Sequence, residues 1–156
     1  MHGLPPIIGE DSQTLILGSF PSLASLAARQ YYGHRQNQFW RILTMITGQP
    51  LTDLDYAAKQ AAVLRAGMAI WDVYGSCARQ GSLDSAIREA SANDFRRLKK
   101  LAPHLQRVCF NGQEAGKQAP RLAAMGYQTC ILPSTSPAYT LAFSAKLAAW
   151  RAALLE

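Results

Sequence analysis

A chain of 156 residues, 49% hydrophobic and 17% charged, is long enough for one compact core and too apolar to be disordered. Its formal charge of +6 and isoelectric point of about 9.5 suit a polyanionic partner such as nucleic acid, and equally a basic protein with no such partner. No apolar run approaches the ~20 residues of a membrane span, the N-terminus lacks a signal-peptide pattern, and the odd, irregularly spaced Cys77, Cys109 and Cys130 predict reduced, buried thiols in a cytoplasm-like compartment.

Residues 1–12 are a Pro/Gly-rich lead-in. The short apolar run Thr14–Leu17 predicts a strand buried on both faces, as in a parallel sheet. Gly18-Ser19-Phe20-Pro21 turns away from its end, and Ser22 caps a short helix through Ala28. A further helix starts near Asn37, with Phe39, Leu43 and Ile46 at helical spacing. Thr52–Asp55 opens another, with Leu54, Ala57, Ala61 and Leu64 as its stripe and Gly67 as its end. Met68–Val73 is a second strand, followed by a loop over Tyr74–Leu83. Asn93 caps a helix carrying Phe95, Leu98 and Ala102, which Pro103 stops. Arg107–Phe110 is a third strand, and Asn111-Gly112 leads into a helix through Ala124. Tyr127–Leu132 is a fourth strand, Pro133–Pro137 a rigid loop, and a last helix from about Thr140 carries Phe143, Leu147, Trp150 and Leu154.

Short apolar strands alternating with helices predict an α/β fold: a three-layer α/β/α sandwich with a central, mainly parallel four-stranded sheet, forming a single domain over 1–156. In such sheets ligands bind beyond the carboxyl ends of the strands. Those ends are Gly18–Pro21, Asp72–Tyr74, Asn111-Gly112 and Pro133–Pro137, and the unusual residues of the chain gather there. Between the first turn and the next helix stand Tyr31, Tyr32, His34, Arg35 and Asn37, a density of aromatic and polar groups suited to stacking on a flat ring and reading its edge. Asp72 is the only carboxylate on the four turns.

Several chemistries lack their residues. Gly112–Lys117 is one residue short of a phosphate loop, and Gln118 stands where Ser or Thr would bind magnesium. No G-x-G-x-x-G follows a strand, His2, His34 and His104 share no metal-ligand spacing, and neither Ser19 nor Ser134 lies in G-x-S-x-G. The zinc-deaminase signature is absent.

The four turns, with Tyr32-Gly33-His34-Arg35-Gln36-Asn37-Gln38-Phe39-Trp40, Trp71-Asp72-Val73 and Arg79-Gln80-Gly81-Ser82-Leu83-Asp84, resemble the uracil-DNA glycosylase superfamily over nearly the whole chain. The likeness is greatest to its hypoxanthine (deoxyinosine) branch. Most branches carry Asp or Asn where Phe20 stands and His or Asn where Leu132 stands. The hypoxanthine branch shares both losses.

The resemblance implies hydrolysis of the N-glycosidic bond of a deaminated base, most of all hypoxanthine, flipped out of DNA. Uracil, xanthine or mismatched thymine are alternative substrates, and a non-catalytic nucleic-acid-binding module is the alternative from another class. Asn37 takes the catalytic role, positioning water and the base edge; its other reading is a helix cap. His34 donates to the departing purine or a phosphate, and Asp72 orients water or binds the purine edge. Tyr32 stacks on the base, with Tyr31 second; Gly18 and Ser19 offer backbone N–H groups beside Phe20, and Asn111 faces the base. Pro133, Ser134, Thr135 and Ser136 grip phosphates, with Arg35 and Arg79 as further phosphate contacts. Arg96, Arg97, Lys99 and Lys100 read as a solvated helix face. No cofactor, metal or Schiff-base lysine is implied, so the expected enzyme is monofunctional, monomeric, cytoplasmic and bound to DNA rather than to a membrane.

Overall fold

In chain order the elements are β1 (Thr14–Gly18), α1 (Leu23–Ala28), α2 (Phe39–Thr47), α3 (Tyr56–Arg65), β2 (Met68–Asp72), β3 (Tyr74–Ala78), β4 (Arg88–Ala92), α4 (Leu98–Leu101), β5 (Arg107–Asn111), α5 (Gln113–Gly116), α6 (Ala119–Ala124), β6 (Gln128–Leu132) and α7 (Phe143–Leu154). This is a computed structural model, and it describes residues 1–155; Glu156 lies outside the described residues.

Strands β2, β1, β5 and β6 lie side by side in that order, with every pairing parallel. Side chains alternate along a strand, so β1 sends Ile16 to one face of the sheet and Leu15 and Leu17 to the other. Ile16, Ile70 and Cys109 meet Phe39, Ile42 and Leu43 of α2, Ala62 and Val63 of α3, and Leu147 and Trp150 of α7. Leu17, Trp71, Val108 and Phe110 meet Phe95, Leu98 and Leu122 on the opposite face. Each such large side chain contributes ~1.5–3 kcal/mol on burial, and together they hold three layers with the strand ends free for a site. The expected α/β/α sandwich is therefore present, its sheet wholly parallel. Among the described residues no helix is long and apolar enough to cross a membrane.

Ser22 caps α1 as expected, its Oγ accepting from Ser25 N at 3.1 Å. Elsewhere the structure departs from the sequence reading. The expected loop after β2 contains β3, which pairs antiparallel with β4 in a separate two-stranded ribbon. Its Gly, Ser and Arg residues hide it from a pattern search, and β4 is exposed throughout. Asp55 caps α3 by accepting from Ala58 N, and the helix buries Ala62 and Val63, while the expected stripe residues Ala57, Ala61 and Leu64 face water. Asp94, not Asn93, caps the turn at Phe95, its Oδ1 accepting from Arg96 N. The helix expected through Ala124 breaks between α5 and α6, because Pro120 has no N–H for the carbonyl of Gly116. Helix α7 begins three residues later than expected, at Phe143.

Candidate active site

Beyond the carboxyl ends of the four parallel strands lies a cavity of about 610 Å³, the size of a small-molecule site. All four predicted turns line it, together with Tyr32, His34 and Asn37 from the segment before α2.

Its floor is polar and under-bonded. Asp72 is 4% exposed, and its Oδ2 is buried with no hydrogen-bond partner among the described residues, as is Tyr32 Oη. A Cβ on Gly18 would lie 2.6 Å from Asp72 Oδ1 and 2.9 Å from Tyr32 Oη, so only glycine lets these groups approach β1 so closely. Burial, then the charge of Asp84, pushes the Asp72 carboxyl up to about 7, against the opposing pull of Arg79. Burial and the Asp72 charge likewise raise the Tyr32 phenol. Tyr32 sits in the left-handed region at φ 52°, a conformation that strains a bulky residue. Its ring stacks on Phe39, with centroids 3.9 Å apart and planes 20° apart.

Asn37 is oriented by two donors. Its Oδ1 accepts from Phe39 N at 3.0 Å and from Thr135 Oγ1 at 2.8 Å; the cap position of α2 is Gln38, so Asn37 stands one residue before the expected helix cap. Thr135 Oγ1 accepts from Asn111 Nδ2 at 3.0 Å, and Thr135 N donates to Asn111 Oδ1 at 3.0 Å. With the carbonyl end occupied, Asn37 Nδ2 makes no hydrogen bond among the described residues. What the side chain offers the cavity is a pair of N–H donors.

One wall comes from the connection between β3 and β4. Ser82, Leu83, Asp84 and Ser85 line the cavity there. Ser19 Oγ donates to Asp84 Oδ1 at 2.6 Å and Leu23 N to Ser82 Oγ at 3.0 Å, clasping the connection to the turn after β1. Arg79 braces it from within: Nε donates to Gly81 O at 2.9 Å and Nη2 to Pro21 O at 2.6 Å, with the guanidinium 5.3 Å from the Phe20 ring centroid.

The loop after β6 forms the facing wall. Trp150 Nε1 donates to Pro133 O at 2.8 Å. Lys146, 1% exposed, donates to Gln38 Oε1 at 3.0 Å, Ser136 O at 3.2 Å and Tyr139 O at 2.7 Å, and burial lowers its pKa. Gln38 N in turn donates to Thr135 O at 3.0 Å, so the same assembly fixes the start of α2 and the loop. Gly112, at φ 98°, accommodates the loop; a Cβ there would meet Ser134 Cβ at 3.2 Å.

Several expected site residues are thus placed where their roles change. Arg79 is 9% exposed and bonded to backbone carbonyls, so its guanidinium braces the wall instead of meeting solvent-side phosphates. Thr135 is 0% exposed, its hydroxyl held between two asparagines, which keeps it from a phosphate. Both ends of the Asn111 amide are committed to Thr135, and the Ser19 hydroxyl to Asp84. Tyr31 is a core residue whose hydroxyl donates to Leu4 O and Pro5 O. His34 lines the cavity with Nδ1 accepting from Gln36 N, leaving Nε2 open. Phe20 is nearly buried in the wall, Pro133, Ser134 and Ser136 are half-buried at the cavity, and Arg35 is exposed beside His34.

Asp84 and Lys146 were not singled out from sequence. Lys146 interrupts the apolar stripe of Phe143, Leu147 and Trp150, a pattern that marks a buried cation. Asp84 carries no such signal, since its partner Ser19 lies 65 residues away.

Known proteins share this architecture. The model of the uracil DNA glycosylase superfamily matches residues 5–155. A protein named Hypoxanthine DNA glycosylase from Methanosarcina barkeri is 40% identical over 149 residues, covering 96% of this chain and 94% of that one. Another of the same name, from Methanosarcina acetivorans, is 42% identical over 137 residues, covering 88% and 87%. A solution NMR structure from Methanosarcina acetivorans, described as a candidate uracil DNA glycosylase, superposes with a TM-score of 0.90 at 38% identity, over 98% of this chain and 95% of that one. A match across all the strands and turns that build the cavity leaves one conclusion about kinship: the chain belongs to the uracil DNA glycosylase superfamily.

Proposed function

We propose that the protein is a DNA repair glycosylase that hydrolyses the N-glycosidic bond of hypoxanthine in DNA and leaves an abasic site. The reading rests on the cavity whose polar floor faces the free Asn37 amino group, in a chain 40% and 42% identical to two proteins named for that activity. A base within a duplex is out of reach of such a cavity, so the nucleotide is flipped into it. Hypoxanthine differs from adenine in presenting O6 as an acceptor, which the Asn37 Nδ2 donors match. Tyr32 forms the aromatic floor. Asp72, half-neutral near pH 7, and His34 Nε2 supply protons or donors to the purine as the C1′–N9 bond breaks through an oxocarbenium-like state. Pro133, Ser134, Ser136 and Arg35 lie where phosphates flanking the flipped nucleotide would run, and fix register without reading sequence.

Lys117 also lines the cavity, but its Nζ is engaged in an ion pair with Glu114 Oε2 at 2.6 Å. That supports a monofunctional enzyme with water, not an amine, as nucleophile. The free cysteines fit a monomer of one domain working in the cytoplasm. A uracil substrate is the second reading, favoured by the description of the NMR relative.

Duplexes carrying one hypoxanthine, xanthine, uracil or normal base, incubated with the protein and treated with alkali, decide between them. Strand cleavage at hypoxanthine is expected; cleavage confined to uracil overturns the hypoxanthine reading, and binding without cleavage overturns both.

A further inference from the structure

Hydrolysis requires somewhere for the proton of water to go. The Asn37 carbonyl is saturated by Phe39 N and Thr135 Oγ1. Three carboxyl groups line the cavity: Asp72, Asp84 and Glu114. Glu114 is occupied at both oxygens, by Tyr74 Oη at 2.9 Å and Lys117 Nζ at 2.6 Å. The Asp72 carboxyl is buried and accepts no hydrogen bond from the described residues, an environment that favours its neutral form. Asp84 differs. Ser19 Oγ donates to its Oδ1 at 2.6 Å, which favours the carboxylate, and its Oδ2 accepts nothing among the described residues. Burial raises both carboxyls, but only Asp84 holds a donor on its carboxylate, and neighbouring carboxyls in such unlike surroundings are the arrangement from which an acid and a base are assigned.

We propose that Asp84 is the catalytic base of this site and Asp72 its partner acid. The inference rests on the glycosylase reading above and adds to it the residue that activates water. As the C1′–N9 bond breaks, its electron pair moves onto the purine and the water oxygen bonds to C1′. The water proton passes to the free oxygen of Asp84, and the purine anion takes the carboxyl proton of Asp72. The products are a free base and an abasic site; Asp84 then returns its proton to Asp72 through solvent. Holding the base on the β3–β4 connection, clasped by Ser19, lets the wall that closes the cavity also carry its reactive carboxylate.

The groups facing Asp84 set its titration. Ser19 from the turn after β1 and the cations Arg79 and Lys117 favour the charged form; burial and Glu114 oppose it, and its net shift is upward. Asp72 from β2 faces it as well, its own carboxyl raised by the Asp84 charge.

The test is single-turnover cleavage of a hypoxanthine duplex by wild type, Asp84→Asn and Ser19→Ala from pH 5 to 9. Binding to a duplex carrying a tetrahydrofuran abasic analogue serves as the control. Asp84→Asn keeps the shape and the Ser19 contact. It is expected to lower the rate by ~10²–10⁴-fold, to erase the acid limb of the pH profile, and to leave analogue binding within about threefold or tighter, since a negative charge near DNA is gone. Ser19→Ala removes the donor and is expected to move the acid limb to higher pH. An active wild type with Asp84→Asn within about threefold of its rate and the acid limb intact overturns the assignment alone. A wild type inert on hypoxanthine, xanthine and uracil duplexes overturns the glycosylase reading and this one with it.

Discussion

The Thr135 hydroxyl donates to Asn37 Oδ1 at 2.8 Å across 98 residues of sequence, and this bond fixes the carbonyl end of the Asn37 amide at the cavity. The hydroxyl has no alternative, because it already accepts from Asn111 Nδ2. Asn37→Asp keeps both acceptor bonds, replaces the Nδ2 donors by an acceptor oxygen and adds a negative charge. It is expected to lower single-turnover cleavage by ~10²–10³-fold, the effect of deleting one oriented donor at a reacting centre, with little change in the urea midpoint. Asn37→Ala removes the acceptor for Phe39 N and Thr135 Oγ1 as well and is expected to be ~1 kcal/mol less stable. A rate near that of wild type for Asn37→Asp would reduce Asn37 to a structural residue that ties the start of α2 to Thr135.

Stability should depend on pH through Asp72, whose carboxyl is raised from 3.8 to about 7. Below pH ~4 the group is protonated in folded and unfolded chains alike, and no penalty exists. As pH rises from ~4 to ~7 the unfolded chain releases the proton that the folded chain retains, so stability falls. Above ~7 the full penalty of roughly 4 kcal/mol remains, at 1.36 kcal/mol per unit. Asp72→Asn is expected to be more stable than wild type at pH 8, with the gap closing towards pH 4, measured by urea unfolding across that range. Its cleavage should also lack the decline expected of wild type as pH passes 7.

Lys146 links Gln38, Ser136 and Tyr139 through three hydrogen bonds in a buried setting. Lys146→Met fills the space but leaves three acceptors without their donor, each costing ~1–3 kcal/mol when unsatisfied. The variant is expected to lose about 3 kcal/mol in urea unfolding and to bind duplex DNA more weakly, because the loop and the start of α2 lose their common anchor.

Arg35 and Arg79 should separate cleanly. Arg35 is exposed beside His34, and Arg35→Ala is expected to reduce the slope of log affinity against log salt by about 1. Arg79→Ala removes the brace on Gly81 and Pro21 and is expected to lower stability while leaving the salt slope unchanged.

The four parallel strands were legible because runs such as Leu15–Leu17 and Val108–Phe110 are buried on both faces, which leaves no polar alternation to blur them. The cavity followed, since its place is dictated by the strand ends. Helix α3 was misread because alanine recurs on every side of it, so a 3.6-residue period fits Leu64 inward as well as Val63, and packing chose Val63. The inward turn of Arg79 was not legible either: a long flexible side chain takes its direction from acceptors such as Pro21 O, 58 residues away. The β3–β4 ribbon escaped notice for want of apolar alternation, and with it went Asp84.

That ribbon divides the site into regions of unequal durability. The floor belongs to β1, β2 and β5, sealed on both faces, whereas the wall belongs to a two-stranded unit with irregular register and an exposed outer strand. Two strands alone are marginal in water, and such units open at free energies well below that of global unfolding. Amide exchange along β4 should therefore run orders of magnitude faster than along β1, and slow when DNA occupies the cavity. Substrate entry and product escape then become matters of breathing at one edge, while the atoms that read the base stay at rest.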